Sequence, residues 1–72
     1  MSLFHERIKS LRVEKKLTQK QMAEMVETTE RAYQYYESGT REPNVETLIK
    51  ISNLFGVSTD YLLGCSDDPT RR

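Results

Sequence analysis

Arg31 and Gln34 stand three residues apart, with Glu30 before them and Tyr35 after, in the segment Glu27-Thr28-Thr29-Glu30-Arg31-Ala32-Tyr33-Gln34-Tyr35-Tyr36-Glu37. A guanidinium offers a planar fork of donors, a carboxamide one donor end and one acceptor end, and a carboxylate acceptors alone. At this spacing on a helix they form one outward row, able to match a fixed pattern of donors and acceptors on a partner. Bond-making chemistry has less to work with. The chain holds one histidine, His5, and one cysteine, Cys65, and neither has a second residue at metal-ligand or nucleophile-base spacing. His5 is expected to face solvent from an early helix, and Cys65 to be an incidental thiol. No enzyme, metal or cofactor is therefore expected. A lone cysteine also excludes an internal disulfide, which suits a reducing cytoplasm.

The outward row requires an inward one. Ala32, Tyr33 and Tyr36 form an apolar stripe at helical spacing, predicting a helix from about Thr29 to Ser38 that Gly39 ends. Just upstream, Met22, Ala23 and Val26 predict a second short amphipathic helix from about Thr18 to Val26. Thr18 with Gln21 three residues on is a capping box, Leu17 is placed to pack on Met22, and Thr29 caps the following helix. Only two residues separate Val26 from Thr29. So short a connection makes the helices cross steeply and leaves the second with one face free: Glu30, Arg31, Gln34 and, at its edge, Tyr35. That is helix-turn-helix geometry and suits a DNA major groove. The opening of the earlier helix, Thr18-Gln19, offers amides and a dipole suited to a phosphate oxygen. The competing reading is an ordinary solvated face, with Thr18 and Asn44 serving only as caps.

Elsewhere, Phe4, Ile8 and Leu11 predict a first helix ending near Lys15-Lys16, where cations favour a helix C-terminus. A polar loop, Thr40-Arg41-Glu42-Pro43-Asn44, leads to a fourth helix carrying Leu48, Ile49, Ile51, Leu54 and Phe55 and stopped by Gly56. Ser58 caps a short fifth helix, with Val57 against Leu62, and Gly64 closes it. Nothing alternates like a strand. The expectation is an all-α, five-helix domain over residues 1–64, followed by a flexible tail or the start of a linker over 65–72. A 72-residue chain buries only about 60% of its unfolded surface, so dimerisation would add useful cover. Phe55, Val57, Tyr61 and Leu63 provide more apolar surface than so small a core needs, and are either a dimer interface or part of the monomer core.

Charge is balanced at 11 basic against 11 acidic residues, which excludes a broad positive field. Residues 1–16 carry Arg7, Lys9, Arg12, Lys15 and Lys16 against Glu6 and Glu14, whereas in residues 17–38 Lys20 and Arg31 face Glu24, Glu27, Glu30 and Glu37. Any DNA contact must use selected side chains and backbone amides. No apolar run approaches the ~18 residues of a membrane span, and the start lacks a signal-peptide core. A cytoplasmic protein with no membrane partner is expected.

Leu17-Thr18-Gln19, Met22-Ala23, Val26, Tyr36-Glu37, Gly39, Pro43, Leu48 and the run Gly56-Val57-Ser58-Thr59-Asp60-Tyr61-Leu62-Leu63-Gly64 together resemble the Cro/repressor helix-turn-helix family, also called the XRE family, over residues 4–64. The resemblance implies a phage-repressor-like transcriptional regulator, a repressor by preference. Such proteins bind double-stranded operator DNA as two-fold homodimers, the third helix entering the major groove at half-sites about 34 Å apart. It implies base reading by Glu30, Arg31, Gln34 and Tyr35: Arg31 on guanine O6 and N7, Gln34 on adenine N6 and N7, Glu30 accepting from cytosine N4. It implies phosphate contacts from Thr18, Gln19, Ser38, Thr40, Arg41 and Asn44, and a partly buried ion pair between Arg12 and Glu37. Two residues depart from the family pattern: Glu27 stands where glycine is common, and Tyr33 where the residue is usually aliphatic. A rival reading keeps the fold but binds a regulatory protein partner through the tyrosine-rich third helix, as an antitoxin would. Salt dependence separates the two.

Overall fold

The computed structural model describes residues 2–70. Among these, all regular structure is helical: α1 (Ser2–Glu14), α2 (Gln19–Met25), α3 (Glu30–Ser38), α4 (Val45–Phe55) and α5 (Thr59–Leu63). The four later helices start for one local reason. Thr18, Thr29, Asn44 and Ser58 hold extended backbone, and each side-chain oxygen accepts from an amide three residues on, Gln21, Ala32, Thr47 and Tyr61, at 2.8–3.0 Å. Such a cap is worth about 1 kcal/mol. At α2 the box is complete, with the Thr18 amide donating to Gln21 Oε1 at 2.8 Å.

α3 ends at Gly39, with φ +80°, and the histidine imidazole of α1 fills the space beside it. A Cβ on Gly39 would meet His5 Nδ1 at 3.1 Å, so both the backbone angle and the neighbour require glycine. His5 is accordingly half-buried rather than solvent-facing: the first turn of α1 packs across the end of α3. The connection between α2 and α3 turns through Glu27 at φ +59°, closed by a hydrogen bond from the Thr28 amide to the Ala23 carbonyl at 2.9 Å. The turn thus keeps the left-handed geometry that favours glycine although a glutamate occupies it, at a cost of about 1–2 kcal/mol.

One core gathers Phe4 and Ile8 of α1, Met22, Ala23 and Val26, Tyr33 and Tyr36 of α3, Ile51 and Phe55 of α4, Val57, and Leu62 of α5. Each large apolar side chain fully covered there contributes roughly 1.5–3 kcal/mol. Tyr33 is the largest wholly buried side chain and meets Tyr36 edge to face, centroids 6.3 Å apart. Two members of the predicted α4 stripe part company: Ile51 is buried, whereas Ile49 is 47% exposed beside Val45 at 72%. The i,i+4 pair Val45 and Ile49 lies off the face that the core covers.

Arg7 binds the end of the domain to its beginning. Its guanidinium lies 4.0 Å from the centre of the Tyr61 ring, Nη1 donates to the carbonyls of Tyr61 and Ser66, and Nη2 pairs with Asp67 at 3.0 Å. The Ser58 amide donates to the Pro69 carbonyl at 3.1 Å. Residues 65–70, without regular structure, thus lie back along α1 and α5. No described helix is long and apolar enough to cross a membrane, and no described group of three or more His, Cys, Asp or Glu side chains is placed to hold a metal.

Candidate nucleic-acid interface

α3 is held from behind by a buried charge pair. Arg12 of α1 donates from Nε to Glu37 Oε2 at 2.5 Å and from Nη2 to Oε1 at 3.2 Å, while its Nη1 donates to the Leu17 carbonyl at 2.8 Å. Gln19 Nε2, in the first turn of α2, donates to Glu37 Oε1 at 3.2 Å. The side chains of Arg12 and Glu37 are only 14% and 5% exposed. One carboxylate therefore joins α1, the approach to α2 and the last turn of α3. Burial alone would push the Glu37 carboxyl up, but hydrogen bonds from Arg12 above all, then the nearby Tyr33 hydroxyl dipole and the hydrogen bond from Gln19, hold it below its ordinary range. The same contact with Glu37 raises the Arg12 guanidinium further.

The Tyr33 hydroxyl lies beside this pair without completing a hydrogen bond of ordinary geometry. Burial above all, and then the Glu37 carboxylate, hold its proton well above the usual phenol range. Tyr33 thus brings an under-satisfied polar group to the centre of the domain,.

From that anchor α3 turns its other face out. Glu30, Arg31 and Gln34 are all exposed, and Tyr35 is half-buried at the edge. Arg41, from the following loop, sits over the Tyr35 ring at 5.2 Å. Beneath them the loop is folded onto one acceptor: the Tyr35 carbonyl receives the Thr40 amide at 3.0 Å, the Arg41 amide at 3.3 Å and the Ser38 hydroxyl at 3.1 Å. The hydroxyls of Ser38 and Thr40 are 2.8 Å apart.

The residues expected at phosphates fall into two groups. Thr18 and Gln19 stand at the start of α2, Thr18 as its cap and Gln19 tied to Glu37. Ser38 closes α3 and is followed in the loop by Thr40 and Arg41, and Asn44 ends that loop as the cap of α4. Between the groups runs a shallow depression lined by Lys9, Arg12, Gln19, Gln34, Glu37 and Ser38. Lys9 was not singled out from the sequence, where it is one cation among five in residues 1–16. Its distinguishing signal is subtractive: Arg7 and Arg12 are engaged with Asp67 and Glu37, whereas Lys9 is exposed beside Gln19 and Gln34.

Of the residues expected at a dimer interface, Phe55 and Val57 are buried within the protomer at 8% and 6% exposure. Their bulk belongs to the core, which leaves little of either for a partner. Tyr61 and Leu63 are half-buried. Cys65 is an exposed free thiol.

Residues 8–62 match a family model described as helix-turn-helix. The uncharacterized HTH-type transcriptional regulator YqaE of Bacillus subtilis (strain 168) is 52% identical over 61 residues, 85% of this chain and 53% of that protein. The cryptic phage CTXphi transcriptional repressor RstR of Vibrio cholerae is 34% identical, covering 90% of this chain and 59% of its own. The chain spans between about half and three-fifths of the length of these relatives. Among solved structures, the P22 c2 repressor protein in complex with synthetic operator 9T superposes with a TM-score of 0.80 at 35% identity, covering 83% of this chain and 91% of that one.

Proposed function

This chain belongs to the helix-turn-helix family of the XRE type, and from that premise we propose that it is a sequence-specific double-stranded DNA-binding repressor of transcription. It acts in the cytoplasm as a homodimer on a two-fold operator, each protomer placing α3 in the major groove, and carries no catalytic step. The observation that carries this reading is the outward row Glu30, Arg31 and Gln34 on a helix whose opposite side is fixed by Tyr33, Tyr36 and the Arg12–Glu37 pair. A base-reading helix must present unsatisfied donors and acceptors on a rigid support, and this one does. The likeness to a repressor solved with its operator supports the same docking.

In this arrangement Arg31 and Gln34 read purine edges, each good bidentate contact discriminating by roughly 1–3 kcal/mol, and Glu30 accepts from cytosine or disfavours wrong sequences. Tyr35 lies at the groove edge. Phosphates on one side meet Thr18, Gln19 and Lys9; those on the other meet Ser38, Thr40, Arg41 and Asn44. Residues 1–64 form the reading domain, and residues 65–70 lie back against it through Arg7 and Ser58 rather than extending as a free tail. The two-fold contact uses Tyr61 and Leu63, with exposed Ile49, while Phe55 and Val57 stay in the core beneath them.

Selection of bound duplexes from a random pool tests the reading directly. Enriched sequences should contain two inverted half-sites about 10–10.5 base pairs apart, or a multiple of that spacing, with affinity falling steeply between 50 and 200 mM salt. Absence of enrichment at low salt would remove the regulator. Affinity for a protein partner that salt leaves unchanged, without duplex enrichment, would put the interaction-module reading in its place.

A further inference from the structure

We propose that Tyr35 and Arg41 act as one unit in DNA binding, the phenol ring serving as the platform that aims the Arg41 guanidinium at a backbone phosphate, so that a neutral residue of α3 controls a charged contact made from the loop. The inference rests on the DNA-binding reading above and says which residue positions which.

Three observations support it. The guanidinium carbon of Arg41 lies 5.2 Å from the centre of the Tyr35 ring, within the range at which a cation is drawn to an aromatic face. The backbone under the pair is closed onto the same residue, since the amides of Thr40 and Arg41 and the hydroxyl of Ser38 all converge on the Tyr35 carbonyl. Finally, no acidic side chain is paired with Arg41 among the described ion pairs, in contrast to Arg7 and Arg12. A guanidinium held against a ring face rather than paired with a carboxylate leaves N–H donors free for bidentate phosphate recognition. An exposed arginine without a platform would lose more rotamer freedom on meeting the duplex. In the proposal, contact with the Tyr35 ring lowers that cost.

The test is a double-mutant cycle on this chain with Tyr35→Leu, Arg41→Gln and the pair together, using a duplex the wild-type protein itself selects from a random pool. Melting temperatures of all variants are measured alongside. Affinity is taken at several salt concentrations. Arg41→Gln should reduce the magnitude of the logarithmic salt slope by up to about 0.9 for each protomer bound, about 1.8 for a dimer on its two-fold operator. Tyr35→Leu, which removes no charge, should reduce it by a comparable amount, while Tyr35→Phe retains the wild-type slope because the aromatic face remains. The double variant should bind within about twofold of the weaker single variant, a coupling of about two- to fivefold per half-site, as an exposed cation–π contact allows. In the free protein, Tyr35→Leu should remove the ring-current shift of the Arg41 side-chain protons.

A Tyr35→Leu protein that loses affinity with its salt slope intact would be missing a base contact only, and the proposal would fall. It would fall equally if the two losses multiply independently, or if Arg41→Gln leaves the slope unchanged. If the wild-type chain selects no duplex, the DNA-binding reading itself has failed and takes this one with it.

Discussion

Replacing Arg12 by methionine removes, at one stroke, two hydrogen bonds to Glu37 and one to the Leu17 carbonyl. Glu37, 5% exposed at its side chain, would keep only the Gln19 amide as a hydrogen-bond donor. Breaking one side of a buried pair costs about 3–5 kcal/mol, against about 0–1 for a surface pair. A chain of 72 residues has a total stability of roughly 4–11 kcal/mol, so the loss is a large share of the whole. At about 4–8 °C per kcal/mol for a domain of this size, the melting temperature should fall by at least about 12 °C. The sign of the pH response should also invert. In the wild-type protein Glu37 titrates below its ordinary value of 4.5, so the unfolded state takes up the proton first, and stability is lost as pH falls from about 4.5 through the folded value. In Arg12→Met the lone carboxylate is governed by burial, its pKa rises, and mild acidification should raise the melting temperature. Arg12→Met with Glu37→Leu, removing both charges, should recover most of the stability and flatten the acid response. The measurements are thermal melts by circular dichroism from pH 3.5 to 7, with duplex binding well below each melting point. A fall of less than about 8 °C for the single variant, with an unchanged acid limb, would refute the argument that this pair is buried and anchors α3.

Glu27→Gly should raise the melting temperature by about 2–8 °C, because relief of left-handed backbone outweighs loss of the exposed contact with Lys50 at 3.3 Å and of the chain stiffness a side chain provides; a lower value would show the turn unstrained. Tyr33→Phe should leave neutral-pH stability unchanged within about 1 kcal/mol or improve it, since the deleted hydroxyl lacks a good partner,. Because Tyr33 is raised above the ordinary phenol value of 10.0, stability that it supports below pH 10 should be lost as pH rises beyond that, and the phenylalanine variant should show a weaker alkaline limb in pH-dependent melts. Arg31→Ala should weaken binding to a selected duplex by about 5- to 150-fold per half-site, relax preference at the matching base pair of each half-site, and leave melting within about 0.5 kcal/mol. Arg7→Met should destabilise the domain by about 1–3 kcal/mol by freeing residues 65–67 from α1, taking the Arg7 donor from the Ser66 carbonyl and leaving the Tyr61 carbonyl with the Gly64 amide alone,, and hydrogen exchange at residues 65–70 should accelerate.

What could be read directly from the chain was whatever depends on near neighbours. Thr18, Thr29, Asn44 and Ser58 announce helix starts because a cap and its amide lie three residues apart, and Gly39, Gly56 and Gly64 announce ends because αL backbone excludes most other residues. The outward set Glu30, Arg31 and Gln34 follows from the placement of Tyr33 and Tyr36. Features built from distant partners were hidden. Arg7 reads as a surface cation, yet its main acceptors are backbone carbonyls 54 and 59 residues away, which no side-chain pattern encodes. His5 reads as exposed because the glycine that makes room for it lies at the far end of α3. Ile49 and Ile51 are chemically equivalent in the sequence, and only the direction in which α4 docks decides that one is covered. The half-burial of Tyr35 under Arg41 was equally invisible, since a loop's return path is not periodic.

The helices contain 13, 7, 9, 11 and 5 residues, and segments shorter than ~12–15 residues scarcely persist alone in water. Four of the five fall below that length. None of them can therefore serve as a standing template on which the others assemble, and the domain should appear and vanish as a single cooperative event. Amide protection across α2 to α5 should accordingly report one common opening free energy, the same under every denaturant, with no surviving fragment that could hold α3 in shape after the rest is lost.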